Sequence, residues 1–561
     1  MPGKDKAEAL ARELNRLKEE RRPYEADWDK AQQFVSSVIL RFREGEAGGE
    51  KPYEIPSRIT SRPANYLETL VSGICGYAIN PNILWQKLGL EDGGLEKRYG
   101  VKDWLEEAEG KLYQQYNKGN LYSQMPQFVE SAAVFGHGIM LVEEDAVEGR
   151  IRCSAMNNRE CWLDTNEYDE ADTVFREYSM TYETAAAYFG LENLAREIRG
   201  QWREDGAKSR RLKILHAVYK NRNGEGQNMT RAFPYVSVYA DTAHGHIIRE
   251  GGYEDFPYAV FWWKRLSGKK YGIGPALMAV RDILLLHKTE ESRLQVAQLS
   301  ARPPMNVPAK MKGYEEIVPD GRNYYQPGGE VISPVNVGAN FPITLEVTRD
   351  FEERIKDWFH VDFFLMLQQQ SRQMTATEVV ELQGEKAAVL STMVTNLNAA
   401  LRKIVQRSSD ILFRREKMPP LPAALQERRS AMRVEFLGVL AQAQRRAHQT
   451  QGIMTGIQIM GALASVAQAA PSLMEAFDYI DGGEILKKGF SWSGVSEKVI
   501  REEDDVAEIR RARAEAQAAE RERQDLAERR KELAQNYTKL NEPVRPGTPL
   551  AAMTGGAGNG R

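Results

Sequence analysis

From Thr375 to Met418 the chain contains no proline, and Thr375-Ala-Thr-Glu378 at the head of this run has the spacing of a capping box. In that arrangement the threonine hydroxyl satisfies one free N–H of a helix's first turn and the glutamate reaches back to another. Leu390, Val394, Leu397, Leu401, Ile404 and Ile411 follow a heptad-like rhythm along it. At the helical rise, about 40 residues make a rod of about 60 Å. Rods this long rest on neighbours, so a long helix at 376–418 packed on other elements is expected.

The chain has 561 residues. A single core stops growing at about 250–300 residues, so more than one structural region is expected. Before the rod, apolar faces among charges predict helices over 6–44, 62–80, 101–118 and 124–136, with Pro23 expected to break or kink the first. From about 139 to 265 the period changes to two: Ile214, His216 and Val218 alternate with Leu215, Ala217 and Tyr219, and 258–263 is a β-rich apolar run. This predicts an antiparallel α+β region. Pro275, after Gly272-Ile-Gly274, suits a first helical position, where its missing N–H costs nothing. The helix it opens is expected to end at Arg302-Pro303-Pro304. Residues 303–345 read as a compact irregular insert, and 347–361 as a second helix carrying Phe351, Ile355, Trp358 and Phe359. Residues 430–500 read as mainly helical. Residues 501–535, rich in Glu, Arg and Ala, read as a further helix, and 541–561, rich in Gly and Pro, as a tail without packing of its own. The fold class is α+β, predominantly helical.

Chemistry is scarce. There is no Gly-x-x-x-x-Gly-Lys-Ser/Thr phosphate loop and no His-Glu-x-x-His helix. Gly272-x-Gly274 reads as a tight turn. His244-Gly-His246 reads as a strand turn, His216 as a core histidine, and Glu290-Glu291 and Glu502-Glu-Asp-Asp505 as solvated helix faces. Neither catalytic residues, metal ligands nor a cofactor is expected. The formal net charge of −3 argues against gripping nucleic acid over the whole surface. It leaves room for a protein that DNA passes through. Cys75, Cys153 and Cys161 have no zinc-like spacing, and the opening Met-Pro-Gly-Lys-Asp-Lys lacks an apolar stretch. Synthesis in a reducing cytoplasm is the plain reading. The uncharged run 449–474 contains glutamines and Pro471 and reads as a closely packed helix rather than a membrane span.

One polar stretch, Gln368-Gln369-Gln370-Ser371-Arg372-Gln373, lies between the second helix and the long one. It reads as an ordinary surface loop or, in a ring of subunits, as a loop projecting into a central hole, where amides and one arginine touch phosphates without gripping them.

An ordered set of motifs adds a resemblance. It runs from the aromatic helix Trp28–Phe42 through Leu67–Cys75 to Asn80-Pro-Asn-Ile-Leu-Trp85. Phe135-Gly-His-Gly138 then leads to Leu141-Val-Glu-Glu144, followed by Ala171–Arg176. Tyr271-Gly-Ile-Gly-Pro-Ala276 precedes the helix ending in Arg302-Pro303-Pro304, and Thr375–Glu378 closes the series. Across about 10–535 the chain resembles the head-to-tail connecting (portal) proteins of podovirus-type phages.

That resemblance implies a portal-type fold: N-terminal helices and an α+β wing at 1–274, paired stem helices at 275–301 and 347–362, and a clip at 302–346. A tunnel loop at 363–375, the long helix at 376–418, a crown at 419–500, a helical barrel at 501–540 and a tail at 541–561 complete it. It implies a dodecameric ring at one capsid vertex, through which a separate terminase ATPase drives double-stranded DNA in and from which DNA leaves at infection. Implied partners are the terminase large subunit, the major capsid and scaffolding proteins, tail adaptor and nozzle proteins, and internal core proteins, with no membrane. Gln368 to Gln373 become the DNA-facing residues, and Lys310, Lys312, Tyr314, Arg322, Tyr324 and Tyr325 the clip contacts to terminase or tail adaptor. The competing readings are a nucleic-acid-processing phage enzyme and a coiled-coil scaffold.

Overall fold

The computed structural model describes residues 3–36, 58–96, 98–145, 148–222, 233–313, 317, 323–325, 327–335, 341–369, 390–427, 432–437, 511, 515, 518, 519, 521 and 523–533. The chain divides into two compact units, Met1–Ile459 and Met460–Arg561. In the second, residues 523–533 are helical, as their composition predicts.

In the first unit, α1 (Gly3–Val35) runs through Pro23 without a break. The expected interruption does not occur, because the helix is held on both sides of it. Leu10, Leu14 and Leu17 pack on Trp162, Phe175, Leu215 and Val238, while Trp28, Ala31 and Val35 enter the main core. Burying several such side chains, at about 1.5–3 kcal/mol each, outweighs an interior proline's cost of about 3 kcal/mol. Next come α2 (Arg62–Ala78), β1 (Gln86–Leu90), the short α3 (Gly93–Glu96), α4 (Val101–Lys118) and α5 (Leu121–Phe135).

The expected antiparallel region forms two sheets. In the three-stranded one, β2 (His137–Glu144) lies between β3 (Ile151–Ala155) and β9 (Tyr258–Trp262). The five-stranded meander comprises β4 (Cys161–Thr165), β5 (Ala171–Thr181), β6 (Arg211–Lys220), β7 (Tyr235–Asp241) and β8 (His246–Tyr253). The first turns of α1 cover one face of the meander. On the other, Leu212, Ile214 and Tyr239 receive Tyr182 and Phe189 of α6 (Tyr182–Phe189) and Ile198 of α7 (Arg196–Gln201).

A helical layer completes the unit: α8 (Pro275–Ala301), α9 (Phe341–Trp358), α10 (Val361–Gln369), α11 (Ser391–Arg414) and the short α12 (Ala423–Glu427). In α11, part of the expected rod, every heptad position from Leu390 to Ile411 is buried. Polar ties flank that seam: the Asn396 amide donates to the Trp263 carbonyl at 3.2 Å, and Arg414 pairs with Glu254 at 2.8 Å. The helix stops at Arg414, short of the expected 418, because Glu416 turns left-handed, φ 52°. The Lys417 N–H then folds back onto the Leu412 carbonyl. Residues 375–389, with the cap, lie outside the described residues.

Two boundaries differ from expectation in this region. The second helix starts at Phe341, not 347, since Pro342 falls in its first turn where no N–H is needed. Within the expected helical stretch 430–500, Met432–Phe436 is a strand, β12, paired antiparallel with β1 in the register Gln86↔Phe436 to Leu90↔Met432. The other edge of β1 is closed by side chains. The Gln86 N–H donates to the Tyr113 hydroxyl and the Leu88 N–H to the Glu109 carboxylate. The uncharged run 449–474 and the acidic 502–505 lie outside the described residues.

Candidate functional site

The two glycine motifs of the sequence meet in space. Gly136 follows α5 in the left-handed conformation, φ 84°, and a Cβ there would overlap the Gly272 backbone. A Cβ on Gly274 would overlap the Ala132 and Ala133 carbonyls. The Trp263 N–H donates to the Gly136 carbonyl and the Ile273 N–H to that of Lys264. Only bare backbone fits between α5 and the start of α8, and this contact sets where α8 begins, with Pro275 at its first position.

From that root α8 leaves the core. Ala276, Ala279, Ile283, Leu286 and His287 are buried. The His287 ring lies 4.7 Å from that of Phe34, and burial beside the Arg58 guanidinium lowers its pKa. Beyond it, no described side chain from Lys288 to Val347 is buried. Leu284, Leu285, Leu294 and Leu299 of α8 stand exposed, as do Leu345 and Val347 of α9. α9 returns alongside α8: Trp358 Nε1 donates to Asp282 at 3.3 Å, Glu352 pairs with Arg62 of α2, and Ile355 and Phe359 re-enter the core.

Between the two helices the insert is held by a minimal ribbon, β10 (Met305–Asn306) against β11 (Ser333–Pro334). Lys310 and Lys312 are exposed, and Tyr324 and Tyr325 are 82% and 62% exposed, with Ile317 and Val331 also open to solvent. Tyr314 and Arg322 lie outside the described residues.

The polar stretch sits elsewhere. Gln368 and Gln369 are not loop residues: they form the last turn of α10. Apolar Phe363 and Phe364 bury the start of that helix, which extends to Gln369. Gln370, Ser371, Arg372 and Gln373 lie outside the described residues. The tip of the α8–α9 pair and the end of α10 belong to different elements. The structure thus divides the candidate residues into two groups. The exposed leucines of α8 were missed in the sequence, although Leu284-Leu285-Leu286 is a run that no single helix face can bury.

The other motifs have structural occupations. The His216 imidazole stacks on Tyr239 with centroids 4.0 Å apart and lies 3.0 Å from the Ser237 hydroxyl; burial pushes its pKa down to about 3. His244 lies in the β7–β8 turn, its Nδ1 2.6 Å from an Asp241 carboxylate oxygen. Burial pushes the Cys153 and Cys161 thiols up to about 12. Among the described residues, no group of three or more His, Cys, Asp and Glu is placed to hold a metal ion, and no helix is long and apolar enough to cross a membrane.

Residues 7–500 match the family described as bacteriophage head to tail connecting protein. The chain belongs to that family. Two relatives agree over nearly their whole length. The portal protein of Salmonella phage epsilon15 is 28% identical over 525 residues, spanning 91% of this chain and 92% of its own. The probable portal protein of Bordetella phage BPP-1 is 25% identical over 515 residues, spanning 90% of each. Among solved structures, a chain from the virion of a native gene transfer agent particle aligns with 78% of this chain and 90% of its own, at 9% identity and a TM-score of 0.34. Connector proteins of this family are structural components of the virion, with capsid and tail as neighbours.

Proposed function

We propose that this connector chain is a portal subunit: copies of it close into a ring, twelve by family resemblance, at one capsid vertex. DNA enters through the ring, driven by a terminase whose large subunit docks on the tip of the α8–α9 pair, and leaves through it at infection. Tail adaptor and nozzle proteins take the same tip afterwards. The major capsid protein, scaffolding protein and internal core proteins surround the rest of the ring. In this reading the three- and five-stranded sheets are the wing, α8 and α9 the stem, the insert between them the clip expected at 302–346, and the segment from Gln368 to Gln373 lines the passage. The subunit is made in the host bacterial cytoplasm.

The observation that carries the reading is the arm without a core. No described side chain of residues 288–347 is buried, yet the arm presents apolar leucines and tyrosines to solvent. A segment that cannot bury its own surface is ordered by neighbours, and rotational symmetry supplies identical ones.

Negative-stain imaging of the purified full chain tests it. Hollow rings are expected, with no ATP hydrolysis. A persistent monomer at micromolar concentration, or intrinsic ATPase activity, overturns the reading. Divalent-metal-dependent DNA cleavage would move it to the nucleic-acid enzyme, and rods in place of rings to the coiled-coil scaffold.

A further inference from the structure

The helix α10, which ends in Gln368 and Gln369, is seated by two features remote from it in sequence. The first is in α2. Gly73 is buried there, and a Cβ at this position would stand 2.5 Å from Cγ of Phe364 and closer still to its Cδ1. The Phe364 ring is fully buried and stacks against Tyr77, one turn along α2, with centroids 6.4 Å apart. The ring thus occupies the notch that the missing side chain leaves. The second feature is the joint between α9 and α10. His360 has φ 50°, a left-handed conformation that β-branched residues resist and glycine adopts freely. Its N–H donates to the Asp357 carbonyl at 3.1 Å, closing α9, and its own carbonyl accepts from the Phe364 N–H at 3.4 Å, opening α10. One residue therefore ends one helix, turns the chain and starts the next.

We propose that Gly73 is a socket for Phe364 and His360 a fixed joint, and that together they are the positioning residues that set the direction of α10 and so place Gln368 and Gln369. The joint alone fixes a turn but leaves α10 free to swing about it; the socket alone fixes one point along the helix. Two constraints four residues apart, one at the entry to a nine-residue helix and one within it, define its axis. The consequence for DNA passage rests on the portal reading above; the seating itself does not.

Gly76, one turn away in the same helix, supplies an internal control. It is exposed, and nothing lies within 4 Å of a Cβ built on it. Alanine is the better helix former, so Gly76→Ala should raise the melting temperature of the full chain. Gly73→Ala should lower it by several degrees despite the same gain in propensity. In a Phe364→Ala background, which removes the Cγ, Cδ1 and Cε1 atoms that the new Cβ would meet, Gly73→Ala should cost much less. At the joint, His360→Gly should melt near wild type and His360→Val well below it. If Gly73→Ala behaves like Gly76→Ala, or lowers the melting temperature as much in the Phe364→Ala background as in the wild type, the socket is disproved. Equal melting of His360→Gly and His360→Val disproves the joint. DNA retention in heads carrying the Gly73→Ala subunit, measured on assembled rings, is the separate arm. Loss of retention for Gly73→Ala, with none for Gly76→Ala, is the expected result. Unchanged retention, with the melting pattern as expected, would refute placement of a DNA-facing segment by α10 while the seating stands.

Discussion

The Arg21 guanidinium lies over the Trp162 indole, 4.2 Å from the ring centroid. In that position its Nη1 donates to the Asn158 carbonyl at 3.0 Å and the Cys161 carbonyl at 2.8 Å, and its Nε to Glu25 at 2.8 Å. The side chain is 3% exposed. It satisfies carbonyls at the turn entering β4 and ties the middle of α1 to the meander. Arg21→Lys keeps the charge but loses the planar fork and the stacking, so it should destabilise the chain by about 2 kcal/mol. Chemical denaturation of the full chain measures this. A loss no larger than that of an exposed control such as Arg22→Lys would show that the fork contributes nothing.

The junction between α11 and the β8–β9 turn should be sensitive to pH. Burial, reinforced by the neighbouring Asp255 carboxylate, raises the pKa of Asp410 to about 6, although Arg414 and Arg407 oppose the shift. The folded protein therefore binds a proton here that the unfolded chain, with an ordinary carboxylate near 3.9, has released. That contribution is fully present below about pH 4 and is lost as pH rises through 6. Asp410→Asn removes the titration. The difference in melting temperature, variant minus wild type, should increase between pH 4 and pH 7. A difference that stays flat would mean that Asp410 titrates normally. Taking the difference cancels other buried carboxyls, such as Glu109, pushed up to about 7.

The exposed leucines of α8 separate assembly from folding. Leu294 is 51% exposed in a half-helix with no buried residue, so Leu294→Glu should change subunit stability by no more than about 0.5 kcal/mol. If that face packs on a neighbouring copy, the buried charge should shift the protein from rings to monomers in light scattering. Rings at the wild-type concentration would remove this face from the interface.

Features that depend on neighbours in the chain were readable in the sequence. Pro275 announced its helix, the alternation at 214–219 its strand, and His216 its place in the core, because each is decided by geometry within a few residues. Features decided across the chain were not. Met432-Arg-Val-Glu-Phe436 does alternate, with Val434 and Phe436 buried, but five residues are too few to outweigh a helical surrounding, and the partner β1 lies some 350 positions away. Pro23 inside α1 was misread for the same reason: two cores on either side hold the helix. Of the candidate site, the order of long helix, insert and second helix was legible. The exposed leucines were not marked, because an exposed leucine looks in sequence like one that fills its own core.

Lysine in place of Gln368, Gln369, Gln370 and Gln373 should obstruct DNA. If copies of the chain surround DNA, each position becomes a ring of amides, and the total contact grows with the number of subunits. Sliding requires that this total stay shallow. An amide offers weak, replaceable contacts to phosphate, whereas each lysine holding a phosphate adds a salt-dependent binding term. Multiplied round a ring, a few lysines per subunit convert a smooth passage into a trap. Replacing these glutamines by lysine should therefore leave rings assembled, because the substitutions add charge without removing apolar packing. DNA packaging or ejection should be impaired, and the impairment relieved as salt is raised in an in vitro ejection assay, since screening weakens phosphate contacts first. Normal passage at low salt would remove the case that this segment faces DNA. Failure of the rings to form would show that the glutamines pack between protein elements instead.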